Sequence, residues 1–163
     1  MDIVRLVVLG AGQRGEAYAR YAVDHPGDAR VVAVADPDPG RRDFLGGLCG
    51  VPMEMRFAGW EEALARPRFA DAAIVATPDN NHVQPGLAAL AAGYDLLLEK
   101  PISKSAAECL AMRDAATASG RRAFVCHVLR YTPFFTELKR ILDSGAIGTI
   151  VSMDHTEGVG YWH

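Results

Sequence analysis

The chain lacks a run of about 18 apolar residues, the length that a helix needs to cross a bilayer, so its sequence predicts no membrane span. The apolar stretch near its start is too short for a secretory signal and has no basic leader before it. Its three cysteines, Cys49, Cys109 and Cys126, are widely spaced and form no C-x-x-C pair. This excludes the common zinc and redox motifs and favours a reduced cytoplasm. We therefore expect a cytoplasmic protein.

Charge of one sign is not concentrated in any segment. Seventeen Lys and Arg stand against 20 Asp and Glu, and neither sign forms a long block. Nucleic acids and anionic membranes are recognised through clustered positive charge, so we expect neither as a partner and favour small-molecule ligands. No group of His, Cys and carboxylates has metal-ligand spacing, and no metal is implied.

Short runs rich in Val, Ile and Leu alternate with helical patterns along most of the chain. The runs show little polar alternation, which is typical of strands buried on both faces of a parallel sheet. They are Ile3 to Leu9, Arg30 to Ala35, Ala72 to Ala76, Asp95 to Leu98 and Ala123 to Val125. The helical patterns are Gln13 to Val23, about Gly40 to Leu48, Trp60 to Leu64, His82 to Ala92 and Ala106 to Ala118. This order predicts an α/β fold with a doubly wound parallel sheet over residues 1–125.

The pattern changes after Val125. The stretch "TPFFTELKRILDSGAIG" predicts a helix that ends at a glycine. Thr149 to Glu157 alternates as a strand exposed on one face would. We expect residues 126–163 to form a connecting helix and the first strand of a different sheet. An unpaired strand of this kind favours association with another copy, so a homo-oligomer is one expected outcome.

Three glycines, Gly10, Gly12 and Gly15 in "VVLGAGQRGEAY", follow the first predicted strand and open the first predicted helix. A G-x-G-x-x-G dinucleotide loop requires this context. Gly10 permits a tight turn, Gly12 lets a pyrophosphate approach, and Gly15 lets the helix pack closely on the strand. The backbone of Gln13 and Arg14 would face the phosphates. The alternative is an ordinary glycine turn without a ligand.

Asp36 ends the second predicted strand. A carboxylate at this position accepts hydrogen bonds from ribose hydroxyls and repels a 2′-phosphate, so we expect NAD as the cofactor rather than NADP. The alternative is a residue that caps the next helix or forms an Asx turn before Pro37. Arg41 and Arg42 could reach a 2′-phosphate, although a solvated helix start is the commoner use of such a pair.

Two later strands end in "ATPDNNH" and "EKP". The carboxyl ends of parallel strands lie on the edge of the sheet where ligands bind, which would bring Lys100 near a nicotinamide. The alternative for Lys100 is a solvated lysine paired with Glu99. For His82 the alternative is a place in the capping region of the following helix.

The stretches "GAGQRG", "ADPD", "ATPDNNH", "EKP" and "HVLRYTPFF", in this order, resemble the Gfo/Idh/MocA family from Ile3 to the last residue. The resemblance implies an N-terminal Rossmann domain that binds NAD or NADP and a C-terminal α/β domain with a large open sheet. It implies oxidation or reduction of hydroxyl and carbonyl groups on sugars, cyclitols and related compounds. The predicted strand after residue 126 would then be the first strand of a truncated C-terminal domain.

The resemblance also implies roles for single residues. Lys100 would be catalytic, in contact with the substrate hydroxyl and the nicotinamide region, and the Lys100–Pro101 bond is often cis. Hydride removal from an alcohol carbon requires the hydroxyl proton to leave as well, which suits a lysine at the reacting oxygen. The remaining implied cofactor-binding residues are Thr77, Pro78, His82 and Glu99, with Glu99 beside the nicotinamide ribose.

Arg130 and Tyr131 match the segment that leads out of the Rossmann domain. Arg130 is either a cofactor contact or part of an ion pair at the domain interface, while Cys126 and His127 are expected to pack. The family's substrate-side acid or base, a histidine with a nearby aspartate, lies in the C-terminal domain, and His163 is not assigned that role. We expect this sequence to be a fragment or a truncated product.

The sequence therefore predicts the cofactor-binding half of an NAD-dependent sugar or cyclitol oxidoreductase. Two other classes stay open. A non-catalytic NAD-responsive binding module would keep the glycines and Asp36 but would not need Lys100. A methyltransferase that uses S-adenosylmethionine can also have a glycine loop and an acid after the second strand, but the "EKP" strand end argues against it.

Overall fold

The computed structural model describes residues 2–158. The chain divides into two compact units, unit 1 ending at Cys126 and unit 2 beginning at His127, and each is described by itself. Among the residues that the structure describes, no helix has the length and apolar character needed to cross a bilayer.

Unit 1 is a six-stranded sheet with helices on both faces. The strand order is β3-β2-β1-β4-β5-β6, and every pairing is parallel. The strands are β1 (Val4–Leu9), β2 (Ala29–Ala35), β3 (Arg56–Phe57), β4 (Ala72–Val75), β5 (Asp95–Leu98) and β6 (Ala123–Val125). The helices are α1 (Gln13–Asp24), α2 (Pro39–Leu48), α3 (Trp60–Leu64), α4 (Val83–Ala91) and α5 (Ala106–Ser119). The α/β Rossmann fold predicted from the sequence is confirmed.

The core lies on both faces of the sheet because side chains along a strand point alternately to opposite sides. Val7 and Leu9 of β1 pack on one face, in the cluster that contains Leu90 of α4 and Met112 of α5. Val8 packs on the other face with residues of α1 and α2. All three β1 side chains are fully buried, and each such burial contributes about 1.5–3 kcal/mol.

Short polar and glycine signals fix the ends of the helices. Asp38 caps α2 by accepting a hydrogen bond from the backbone N–H of Arg41 at 3.1 Å, and Pro39 follows in the first turn, where its missing N–H costs nothing. Ser105 caps α5, which ends at Gly120 in the left-handed conformation with φ 63°, as helices commonly do.

Two details of unit 1 differ from the prediction. The two-residue strand β3, which pairs with Val34 and Ala35 of β2, is too short to give a hydrophobic pattern. Helix α4 begins at Val83, and a 3₁₀ turn over Asp79–Asn81 precedes it, so His82 is its N-cap residue.

Unit 2 contains a 3₁₀ turn (Val128–Tyr131) and the helix α6 (Pro133–Asp143). The predicted helix is confirmed, and Gly145 follows it with φ 70°. Thr149 to Glu157, where the sequence predicts a strand, are not part of any sheet among the described residues, so this strand stays a prediction. A strand needs a neighbour for its backbone hydrogen bonds, and residues 127–158 supply none. Val151 is consequently 93% exposed. The last part of the prediction, His163 included, lies outside the described residues.

Candidate functional site

The carboxyl edge of the sheet brings together residues that follow four strands. The hydrogen bonds between neighbouring strands continue one residue past the strand ends. The N–H of Gly10 donates to the carbonyl oxygen of Ala35 at 2.8 Å. In the same way, the N–H of Asp36 donates to the carbonyl oxygen of Phe57 at 3.1 Å, and the N–H of Glu99 donates to that of Val75 at 2.9 Å. The strand order reverses between β1 and β4, which is where nucleotides bind in doubly wound sheets. The sheet itself therefore positions the site.

Two glycines of the loop after β1 are fixed by close packing. Gly10 has φ +99°, and a Cβ there would lie 2.5 Å from the carbonyl oxygen of Ala76. A Cβ on Gly15 would overlap the carbonyl oxygen of Gly10. Only glycine fits at these two positions, as the sequence predicts for the turn and for helix packing.

Gly12 differs from both because a Cβ there would meet no atom within 4 Å. It is the N-cap of α1 and provides no side-chain cap. In the described part of the chain, the first backbone amide of α1 that donates to a carbonyl is that of Glu16, to Gly12 at 2.9 Å. The amides of Gln13, Arg14 and Gly15 therefore remain available to an anion. Open space beside free amides fits a dinucleotide pyrophosphate.

Asp36 is 6% exposed and both of its carboxylate oxygens accept hydrogen bonds from the backbone. Oδ2 accepts from the N–H of Ala11 at 2.7 Å, and Oδ1 accepts from the N–H of Asp38 at 2.9 Å. The Asx turn considered as an alternative is thus present, whereas helix capping is done by Asp38. Each carboxylate oxygen has a second lone pair, so these bonds leave room for ribose hydroxyls.

A cavity of about 700 Å³ opens beside Asp36, which is within the usual size of small-molecule sites. It lies between the end of β2, the start of α3 and the loop after β4, and its lining includes Gly10, Asp36, Arg41, Trp60, Thr77 and Pro78. The two neighbouring arginines have separate surroundings. Arg42 donates to the carbonyl oxygen of Asp36 at 2.8 Å, whereas Arg41 lines the cavity and is exposed.

His82 is fully buried between the loops that follow β4 and β5. Its Nε2 lies 2.8 Å from the carbonyl oxygen of Thr77, and its Nδ1 lies 2.6 Å from that of Pro101. A neutral imidazole donates to one of these carbonyls and a protonated one to both. His82 thus joins two loops of the site, and its side chain does not line the cavity.

Glu99 is 4% exposed and accepts three hydrogen bonds. Its Oε1 accepts from Nε of Arg14 at 2.6 Å and from the hydroxyl of Tyr18 at 2.5 Å, while Oε2 accepts from the backbone N–H of Lys100 at 3.0 Å. Burial raises the pKa of Glu99, but the hydrogen bonds from Tyr18 and Arg14 lower it below its ordinary value on balance. The carboxylate is therefore held in its charged form.

Tyr18 is the site residue that sequence reasoning missed. It lies four residues after Arg14, so both side chains stand on one face of α1, and Nη2 of Arg14 donates to its hydroxyl oxygen at 2.9 Å. Burial and hydrogen bonding with Cys126 and Glu99 raise the pKa of Tyr18. The only signal in the sequence was this spacing within the glycine-loop helix.

Lys100 is exposed at the end of β5 and does not line the cavity. Within residues 2–158, its ammonium forms no salt bridge, because the neighbouring Glu99 pairs with Arg14 instead. The alternative of a lysine paired with Glu99 is therefore not what the structure contains. The Lys100–Pro101 bond is cis, as the resemblance implied.

The remaining predicted residues lie near the boundary of the two units or beyond it. Cys126 is buried, as expected, and burial raises the pKa of its thiol. His127 was expected to pack but is exposed. Arg130 and Tyr131 belong to the 3₁₀ turn of unit 2, and the role of Arg130 stays a prediction. Across the described residues, no three His, Cys, Asp or Glu side chains converge as metal ligands.

Comparison with known proteins gives one family profile and many relatives. The profile, described as an oxidoreductase family with an NAD-binding Rossmann fold, matches residues 4–127. Inositol 2-dehydrogenase 1 of Saccharopolyspora erythraea is 36% identical over 146 residues, which are 89% of this chain and 43% of that protein. The chain thus spans less than half the length of this relative.

Solved structures match the same region. An NAD-binding oxidoreductase from Klebsiella pneumoniae aligns with a TM-score of 0.76 at 26% identity, covering 90% of this chain and 40% of that one. The myo-inositol 2-dehydrogenase of Lactobacillus plantarum aligns with a TM-score of 0.84 at 23% identity, covering 92% and 44%. The second likeness supports the fold alone.

Proposed function

The chain belongs to the Gfo/Idh/MocA family of oxidoreductases, and we propose that it is the cofactor-binding part of an NAD-dependent dehydrogenase. The reaction would transfer a hydride between nicotinamide and a hydroxyl or carbonyl group of a cyclitol or sugar. The observation that carries the proposal is Asp36, whose buried carboxylate borders both the glycine loop and the cavity. Its negative charge favours an unmodified ribose over a 2′-phosphate.

Separate residues would hold each part of the dinucleotide. The amides at the start of α1 and the open side of Gly12 would bind the pyrophosphate. Asp36 would accept hydrogen bonds from the adenosine ribose, and the cavity bordered by Trp60, Thr77 and Pro78 would hold the adenine. When bound, NAD supplies the acceptor or donor of the hydride.

Lys100 would act at the oxygen of the substrate. Its exposed ammonium has no carboxylate partner in the described part of the chain, so its charge can stabilise an alkoxide or orient a hydroxyl. Its backbone is fixed by the hydrogen bond to Glu99. A general acid or base that completes the proton transfer would come from residues other than those described.

The cyclitol or sugar class rests on relatives such as the inositol 2-dehydrogenase of Saccharopolyspora erythraea. That protein is more than twice as long as the matched region. We therefore expect this chain alone to bind NAD(H) without oxidising inositols or sugars. Robust turnover by this chain would mean that its active site is complete.

Titration of the chain with NADH, followed by energy transfer from tryptophan, tests the cofactor assignment. Gly12→Leu should weaken NADH binding about tenfold or more, which corresponds to about 1.4 kcal/mol, because the side chain fills the space for the pyrophosphate. Gly27→Leu is the matched control, since Gly27 also meets no atom within 4 Å but lies in the turn before β2. Equal NADH affinity in the two variants would overturn the assignment, as would tighter binding of NADPH than NADH to the parent chain.

A further inference from the structure

We propose that Arg14 and Tyr18 are positioning residues for Lys100: they hold the Glu99 carboxylate away from the Lys100 ammonium and so keep that ammonium free for the substrate oxygen. The inference rests on the proposed function, which gives Lys100 its role. It adds two residues from the glycine-loop helix to the reacting end of the site.

The contacts connect α1 with the residue just after β5. Arg14 and Tyr18 both donate to Oε1 of Glu99, at 2.6 and 2.5 Å. Oε2 accepts from the backbone N–H of Lys100 at 3.0 Å. The carboxylate is thus engaged on one oxygen by α1 and on the other by the backbone that carries the lysine.

Charge balance explains why this arrangement matters for Lys100. A buried carboxylate needs a cation or several donors, and two cations are at hand, Arg14 and the adjacent Lys100. Neighbouring residues can pair in this chain, as Arg113 and Asp114 do at 2.7 Å. Because the guanidinium of Arg14 presents two donors in a rigid fork, it satisfies both Glu99 and Tyr18. Among residues 2–158, Lys100 is left without an ion pair.

Tyr18 contributes a second donor to the same oxygen. Its raised pKa keeps the hydroxyl protonated, so it donates to Glu99 throughout the physiological range. Two donors on Oε1 fix the carboxylate plane and leave Oε2 directed at the Lys100 backbone. Without Arg14, the charge of Glu99 would have Lys100 as its cation.

The experiment uses the amine reactivity of the lysines, of which the sequence has three: Lys100, Lys104 and Lys139. The chain is treated briefly with an N-hydroxysuccinimide ester, and mass spectrometry of peptides gives the rate at each site. In Arg14→Met, we expect the Lys100 ammonium to pair with Glu99. It should then react roughly tenfold more slowly than in the parent chain. Lys104, which is exposed, and Lys139, which pairs with Asp143 at 2.6 Å, should keep their rates.

Three further variants separate positioning from a structural effect. Arg14→Met combined with Glu99→Gln should restore the rate at Lys100, because no carboxylate remains to pair with it. Tyr18→Phe should slow Lys100 by a smaller factor, and it tests the same contact if Arg14→Met fails to fold. Arg20→Met, on the same helix in a pair with Glu16 at 2.7 Å, should change nothing.

An unchanged Lys100 rate in folded Arg14→Met, or slowing that the double variant does not reverse, would overturn the proposal. NADH titration of the same variants keeps this result separate from the cofactor assignment. If the parent chain does not bind NADH, the proposed function is contradicted. The lysine rates would still report on the contact between Arg14 and Glu99.

Discussion

The carboxylate of Asp36 accepts a hydrogen bond from the backbone N–H of Ala11 at 2.7 Å, across 25 residues of sequence. The bond ties the end of β2 to the middle of the glycine loop. The residue that we propose to bind the ribose therefore also holds the loop that would bind the pyrophosphate. A substitution at Asp36 should affect cofactor choice and the stability of the fold together.

Asp36→Asn tests this double role. An amide has one acceptor oxygen, so it cannot accept from both Ala11 and Asp38, and one buried bond to a charged group is worth about 1.5–3 kcal/mol. We expect a loss of that size in the free energy of unfolding, weaker NADH binding and a smaller preference for NADH over NADPH. Urea unfolding and paired titrations measure these quantities.

Asp24→Asn is the control, because it makes the same change at an exposed position at the end of α1. An Asp36→Asn protein with an unchanged ratio of NADH to NADPH affinity would contradict the ribose role. Unchanged stability would contradict the role in holding the loop.

A second prediction compares three glycines. Gly10→Ala should lower the free energy of unfolding by more than about 2 kcal/mol, because strain at positive φ costs roughly 1–2 kcal/mol and the Cβ would also press on Ala76. Gly50→Ala, with φ +66° and no atom within 4 Å of its Cβ, should show the strain alone. Gly12→Ala should leave stability nearly unchanged. Equal losses at Gly10 and Gly50 would mean that the contact with Ala76 contributes nothing.

Local pattern was enough to predict most of unit 1. The strands around Val7 and Leu98 are mostly apolar, and the glycine loop follows from spacing, so the carboxyl edge and its main residues could be placed from the sequence. The pairing of Arg14 with Glu99 could not, because it joins residues 85 positions apart and a sequence does not specify which cation a carboxylate selects.

Two other features depended on neighbours rather than on local pattern. The bridge made by His82 involves backbone carbonyls of two loops, which leave no residue-type signal. The alternation in Thr149 to Glu157 predicts a strand only when a neighbouring strand is present. The His82 bridge and the conformation of Thr149 to Glu157 therefore both depend on which residues are neighbours in space.

A third prediction concerns His82. His82→Leu replaces the imidazole with an apolar side chain of similar bulk and removes its polar contacts with the carbonyl oxygens of Thr77 and Pro101. Leaving partly buried carbonyls unpaired should lower the free energy of unfolding by about 2 kcal/mol. Urea unfolding measures the loss, and His127→Leu, at an exposed position, is the control. Equal stability of the two variants would show that the bridge does not hold the loops.

The last prediction is the acid sensitivity contributed by Glu99. Burial raises the pKa of this carboxyl, but the hydrogen bonds from Tyr18 and Arg14 bring it below the ordinary value. In the folded chain the group therefore releases its proton at a lower pH than in the unfolded chain, where its pKa is about 4.3. The stability that it contributes is fully present above that pH and is lost as pH falls through the folded-state pKa.

We expect Glu99→Gln to flatten the decline in the free energy of unfolding below about pH 4.3. Other carboxyls with lowered pKa, such as Asp71 and Asp95, act in both proteins, so the difference between the two curves isolates Glu99. Glu54→Gln, at an exposed position, should follow the parent curve. Urea unfolding at a series of pH values gives the comparison. If the Glu99→Gln curve stays parallel to the parent curve down to the lowest pH at which the chain folds, the carboxylate is not stabilised by Arg14 and Tyr18.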